Sequence, residues 1–158
     1  MLTIHFICIG KLKEEYLRKA QAEYQKRLSA FVRLNLIELS EHRLPETPSE
    51  AEIQRALEAE GAEILKRKRG YLISLCIEGD MLSSPKLAKK LSNLALSGTS
   101  EITLVIGSSF GLSDQVKRQS DFRLSMSPMT FPHQLARIML LEQLYRAGSI
   151  NNNGKYHK

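Results

Sequence analysis

Apolar residues along this chain fall into five short runs, separated by stretches whose apolar positions recur at three- and four-residue steps. Residues 2–9 (LTIHFICI) make the first run, which ends at Gly10 and predicts a strand. The following KEEYLRKAQAEYQKRLSAF places Tyr16, Ala20, Tyr24, Leu28 and Phe31 on one predicted helix face. Residues 34–39 predict a second strand, and the polar SEHRLPETP after it a loop. Ser49 with Glu52 forms an S-x-x-E capping box that opens a helix reaching to about Lys68. YLISLCI, residues 71–77, is a continuous apolar run of the kind that is buried on both faces of a sheet.

The alternation continues to the end. Ser84 followed by Pro85 predicts a helix N-cap with proline in the first turn, and that helix extends to about Ser97. EITLVIG is a fourth apolar strand, Ser113 caps a short helix to about Gln119, and FRLS is a fifth strand. A last helix starts near Pro132. Strands alternating with helices predict an α/β fold, a mostly parallel sheet of five to six strands covered on both faces. At 158 residues the chain is expected to form one domain.

Composition narrows the class. The hydrophobic fraction is 42% and the charged fraction 25%, ordinary for a globular protein. No apolar run reaches the roughly 18 residues of a membrane span. The apolar start lacks a basic leader and a small-residue cleavage site, so no signal peptide is expected. Cys8 and Cys76 lie inside apolar runs without a CxxC partner and read as buried thiols of a cytoplasmic protein. The net charge of +6 is unevenly placed. Residues 1–80 hold 13 Lys/Arg against 13 Asp/Glu, and residues 81–158 hold 10 against 4. Such an excess suits phosphate partners.

Ligands of parallel sheets bind beyond the carboxyl ends of the strands, where EGDMLSSP, GSSFGLS and MSPMTFP leave the last three. Gly107 and Gly111 either make an ordinary tight turn or let backbone amides approach a ligand. Neither GxGxxG nor GxxxxGK[ST] is present, which argues against a dinucleotide or a nucleoside triphosphate. The loop at 126–131 has no charge and no His/Cys/Asp cluster, so no metal is expected there. Met126, Met129 and Phe131 offer apolar walls, Thr130 a hydroxyl, and Pro128 and Pro132 stiffness. That suits either core packing or a flat uncharged group such as adenine.

The last helix is apolar around most of its circumference, with polar side chains only at Arg137, Glu142, Gln143 and Arg146 among residues 135–146. A helix of this kind needs two apolar partners, the sheet and either more of the same chain or a second subunit, and a homodimer through it is the favoured expectation. The closing Lys155, Tyr156, His157 and Lys158 read either as a frayed end or as a charged, stacking, proton-handling tail for RNA.

Together, VIGSSFGL, LSMSPMTFPHQLARIMLLEQLYRA, the terminal YHK, FICIGKLKEEY and RLPETPSEAEIQRALEAEG resemble one family along the whole chain. It is that of the bacterial large-subunit ribosomal RNA pseudouridine N3-methyltransferases of the SPOUT superfamily. The resemblance implies a Rossmann-like sheet with a C-terminal deep trefoil knot, S-adenosylmethionine (SAM) held in that knot, and a homodimer. It implies as substrate a pseudouridine of helix 69 of 23S rRNA in assembled ribosomes. Carried onto this chain, the cofactor positions are Leu75, Gly107, Met126, Ser127, Pro128, Met129, Thr130 and Phe131. His157 becomes the candidate proton acceptor and Tyr156 the residue that orients the base. Lys155, Lys158 and Arg137 become RNA contacts, while Arg146 either joins them or pairs with Glu142.

Two departures stand out. Ser108 replaces a second glycine after Gly107, which costs about 1 kcal/mol if that position needs a positive φ. Asn153 and Lys155 replace a glycine and a proline or alanine before Tyr156, which implies a looser tail. The readings from other classes are a non-enzymatic ribosome-associated RNA binder and an α/β domain for another adenine nucleotide.

Overall fold

A computed structural model describes residues 1–158. Five parallel strands, β1 (Thr3–Ile9), β2 (Arg33–Leu39), β3 (Tyr71–Met81), β4 (Glu101–Ile106) and β5 (Phe122–Ser125), form one sheet in the order β2-β1-β4-β3-β5. The helices are α1 (Glu15–Leu28), α2 (Glu50–Arg67), α3 (Ser84–Leu96), α4 (Asp114–Gln119) and α5 (His133–Asn151).

Side-chain alternation along each strand decides which helices cover which face. Ile4, Phe6 and Cys8 of β1 and Ile102, Leu104 and Ile106 of β4 enter one core, with Leu28 of α1, Leu91 of α3 and Leu140, Leu141 and Leu144 of α5. Their neighbours Ile7, Ile9, Leu72 and Val105 point the other way, against Ile64 of α2 and Val116 of α4. The central strands β1 and β4 therefore read as nearly unbroken apolar runs, because both of their faces are buried.

Helix starts follow their caps. Ser49 and Glu52 bond reciprocally, and the Ser113 hydroxyl accepts from the Val116 N–H. At α3 the cap is Ser83, one residue before the expected Ser84; its side chain accepts from the Lys86 N–H. The Ser84 hydroxyl is engaged elsewhere, donating to Gln143 Oε1 of α5. The predicted face of α1 is also corrected. Leu17, Ala20 and Tyr24 pack inward, whereas Tyr16 is 68% exposed. Phe31 lies past the helix end and rests on α5, where a Cβ on Gly148 would come within 2.5 Å of its ring.

The run at 71–77 continues as β3 to Met81, but not smoothly. Leu124 of β5 pairs with both Leu75 and Asp80, so residues 76–79 bulge out of the ladder. Gly79 passes so close to the Arg123 carbonyl that a Cβ would lie 2.6 Å from its oxygen. Within the chain, α1 and α3 flank α5 while it packs over the sheet. Leu135 remains 41% exposed.

Candidate functional site

The bulge of β3, the loop after β4 and the loop after β5 meet at one end of the sheet around a cavity of about 740 Å³. That size suits a small-molecule ligand. The first turn of α5, with Pro132, His133 and Ala136, closes another side. Of the eight expected cofactor residues, Leu75, Gly107, Met126, Ser127, Met129, Thr130 and Phe131 line the cavity. Pro128 is not in the lining; it lies within the turn that shapes it. There the Ser127 hydroxyl accepts from the Met129 N–H at 3.0 Å, and the Ser125 hydroxyl donates to the Ser127 carbonyl.

Gly107 is needed for contact rather than for φ. A Cβ there would collide with the Gly111 carbonyl, and Gly111 itself has φ +88°. The Gly111 N–H donates to the Ser108 carbonyl at 2.9 Å, closing the turn. Ser108 has no positive φ, so serine carries no backbone cost there.

Several cavity residues escaped the sequence reading. Cys76 arrives with the bulge, which no local signal announces, whereas Glu78 opens the EGDMLSSP segment already placed beyond the end of the third strand. Lys117 of α4 donates to Glu78 at 2.6 Å, and this holds the Glu78 carboxyl below its usual range. The cavity wall thus carries one charge of each sign. His133 also lines it, its pKa lowered by burial and by the nearby Arg137 and Lys13, with Glu41 opposing. Its place beside Pro132 was the only available clue. Behind the loop, Glu60 of α2 is buried: Oε2 accepts from the His42 N–H at 2.9 Å, while Oε1 has no partner.

The tail is folded onto α5, away from this cavity, and no tail residue lines it. Glu142 accepts from Arg146 at 2.6 Å and from the Tyr156 hydroxyl at 3.1 Å. The Tyr156 ring meets Tyr145 edge-on at 4.8 Å, with the Arg146 guanidinium 4.7 Å from its centroid. Burial and the bond to Glu142 raise the Tyr156 pKa. Arg146 Nη1 lies 3.1 Å from His157 Nδ1. Guanidinium can only donate, so Nδ1 accepts and the neutral ring carries its proton on Nε2. Asn153 takes φ +58° without a glycine, as asparagine tolerates, and the Gly154 N–H closes the helix end on the Ser149 carbonyl. Lys155 and Lys158 are exposed.

Arg137 is corrected more fully. It is 1% exposed, donating to Glu38 at 2.6 Å, to Gln21 and to the Gly10 carbonyl, so it ties α5 to β1, β2 and α1 and offers RNA nothing. Arg146 likewise forms its pair with Glu142 within the chain.

Fold and cavity together define an α/β protein whose ligand site is built from the loops around its last two strands. The model of the family described as "Predicted SPOUT methyltransferase" matches residues 2–157, and the chain belongs to that family. It is 46% identical to a ribosomal RNA large subunit methyltransferase H of Clostridium novyi, over 99% of this chain and 100% of that one. Among solved structures it is similar to a tRNA (m1G37) methyltransferase of Aquifex aeolicus, with a TM-score of 0.54 and 13% identity over 91% of this chain and 69% of that one. It is also similar to a Legionella pneumophila protein solved with bound SAM, with a TM-score of 0.50 and 14% identity over 92% and 66% of the two chains. The fold is the knotted SPOUT α/β fold: β4 and β5 flank β3, and the chain returns from β5 to lay α5 beside α3. No group of three or more His, Cys, Asp or Glu side chains is placed to hold a metal. No helix is long and apolar enough to cross a membrane.

Proposed function

We propose that this protein transfers a methyl group from SAM to N3 of a pseudouridine in helix 69 of 23S rRNA, in the cytoplasm, on assembled ribosomes and as a homodimer. The observation that carries the reading is the cavity at the ends of β3, β4 and β5, lined by seven of the eight residues that the family resemblance implies for SAM. Membership of the SPOUT methyltransferases supports the reaction, and the name of the C. novyi relative supports ribosomal RNA as substrate.

The residues fit SAM. Leu75, Ile106, Met126 and Phe131 give the adenine apolar walls, and the Gly107–Gly111 turn brings backbone close. Glu78 and Lys117 face a ligand that carries charges of both signs. When bound, SAM supplies an electrophilic methyl group.

The chain's own residues must then make the N3 imide nucleophilic. With Nδ1 engaged by Arg146, His157 donates from Nε2 to a carbonyl oxygen beside N3, which favours loss of the imide proton to solvent. Tyr156 offers a ring against the base, and Lys155 and Lys158 offer charge to phosphates. The tail packs on α5 of its own chain and lines no part of that chain's cavity; in the proposed homodimer the tail of one copy serves the cavity of the other.

The test is methyl transfer from tritiated SAM to ribosomes lacking this modification, with the modified nucleoside located by nuclease digestion and mass spectrometry. Wild type is expected to methylate one pseudouridine at N3, and His157→Ala to lose about 100-fold in rate. A protein that binds ribosomes and transfers no methyl would instead be a non-enzymatic RNA binder.

A further inference from the structure

Helix α3, SPKLAKKLSNLAL, carries three lysines and no acidic residue. Lys86, Lys89 and Lys90 line a groove of about 490 Å³ between α3 and the sheet edge at Phe122. None of the three takes part in an ion pair. At steps of three and four residues they share one side of the helix. Lys90 Nζ lies 4.0 Å from the Phe122 ring centroid and 5.6 Å from that of Tyr71. Asn93 and Ser97 add hydrogen-bonding groups along the same groove.

The position of this groove is as informative as its charge. Leu82 lines both it and a second cavity of about 510 Å³. That second cavity shares Met126 with the cofactor cavity. Leu82 and Met126, each shared between neighbouring concavities, thus put the unpaired cations on the side of the molecule that carries the cofactor site. Three of the ten basic residues of the positively charged second half lie in this groove.

We propose that the α3 groove binds backbone phosphates of the RNA next to the nucleotide held at the cofactor cavity. The proposal rests on the rRNA reading above and extends it to a surface. The lysines line a concavity, which a polynucleotide strand can enter and a flat bilayer cannot. They are also free, so binding phosphate breaks no existing pair. Lys90 on Phe122 holds its charge over an apolar floor, which keeps the ammonium directed into the groove.

The test compares the full-length wild type with K86Q/K89Q and K86Q/K89Q/K90Q. The probes are ribosomes lacking the methyl group and, separately, phosphatidylserine vesicles. Wild type is expected to bind ribosomes with affinity that falls steeply with salt. The double variant should lose about 10-fold in affinity, and the slope of log K against log salt should flatten by about 2, or about 3 in the triple variant. SAM affinity by calorimetry and kcat at saturating ribosomes should stay within twofold of wild type, whereas KM rises. Unchanged affinity and slope in both variants overturn the groove while leaving methyl transfer standing. Lysine-dependent binding to vesicles but not to ribosomes also overturns it. A wild type that shows the lysine-dependent slope yet transfers no methyl leaves the groove standing and removes the proposed reaction.

Discussion

Arg137 of α5 donates to Glu38 of β2 at 2.6 Å, across 99 positions of sequence, with the guanidinium buried and the carboxylate partly exposed. The same guanidinium reaches the Gly10 carbonyl at the end of β1. One side chain thus fastens the last helix to the first two strands, beneath the loops that form the cavity.

Removing one partner of such a pair leaves the other uncompensated, so Arg137→Ala is expected to cost about 3 kcal/mol. In a chain of this size that lowers Tm by about 10 °C. Arg137→Lys should recover only part of the loss, because an ammonium cannot span Glu38, Gln21 and the Gly10 carbonyl together. Thermal denaturation of the three proteins decides it, and a surface arginine would show less than 1 kcal/mol.

The turn after β4 separates two neighbouring residues. Gly107→Ala forces a Cβ onto the Gly111 carbonyl and is expected to weaken SAM binding at least 10-fold. Ser108→Gly relieves no φ strain and should change affinity by less than twofold. Calorimetry on both variants measures the difference, and a gain in affinity for Ser108→Gly contradicts the backbone assignment.

Burial pushes the Cys8 thiol up to about 12, whereas Cys76 is only half-buried and lines the cavity. In native protein, iodoacetamide is expected to label Cys76 slowly and Cys8 not at all. Saturating SAM should slow the Cys76 reaction several-fold. Mass spectrometry of peptides with and without SAM provides the measurement, and equal labelling rates would place the ligand elsewhere.

Burial also raises the Glu60 carboxyl above its ordinary 4.5, with the His42 N–H and Ser108 partly offsetting it. A carboxyl raised in the folded state binds its proton more tightly there than when unfolded. Its contribution is therefore favourable at low pH and is lost as pH rises from about 4.5 through the folded value. Glu60→Gln removes the titration, so its Tm relative to wild type is expected to climb between pH 4.5 and pH 7. A constant offset across that range rules the mechanism out.

The central strands were legible because β1 and β4 are apolar on both faces, and the starts of α2, α3 and α4 because serines cap them. Ser83 in place of Ser84 shows the limit of that logic, since adjacent serines offer the same chemistry and only packing chooses. The bulge at 76–79 was hidden, because Cys76 and Ile77 simply prolong an apolar run. Met126 to Phe131 could be read as a ligand loop from composition, but the Glu78–Lys117 pair joins residues 39 positions apart and leaves no local trace. Arg137 misled because a basic residue on an apolar helix looks like a contact for a partner, when its partner is an internal carboxylate. The lysines of α3 look like any solvated face until the fold puts Phe122 and Leu82 beside them.

The packing of α5 between α1 and α3 has a consequence for biosynthesis. Leu28 near the end of α1 and Leu87 and Leu91 of α3 share their core with Leu140, Leu141 and Leu144. Until that segment has been translated and has left the exit tunnel, the nascent chain displays these leucines to solvent. The core that α1 and α3 share with α5 is therefore expected to close only once α5 is present, and a chain lacking it exposes a continuous apolar surface.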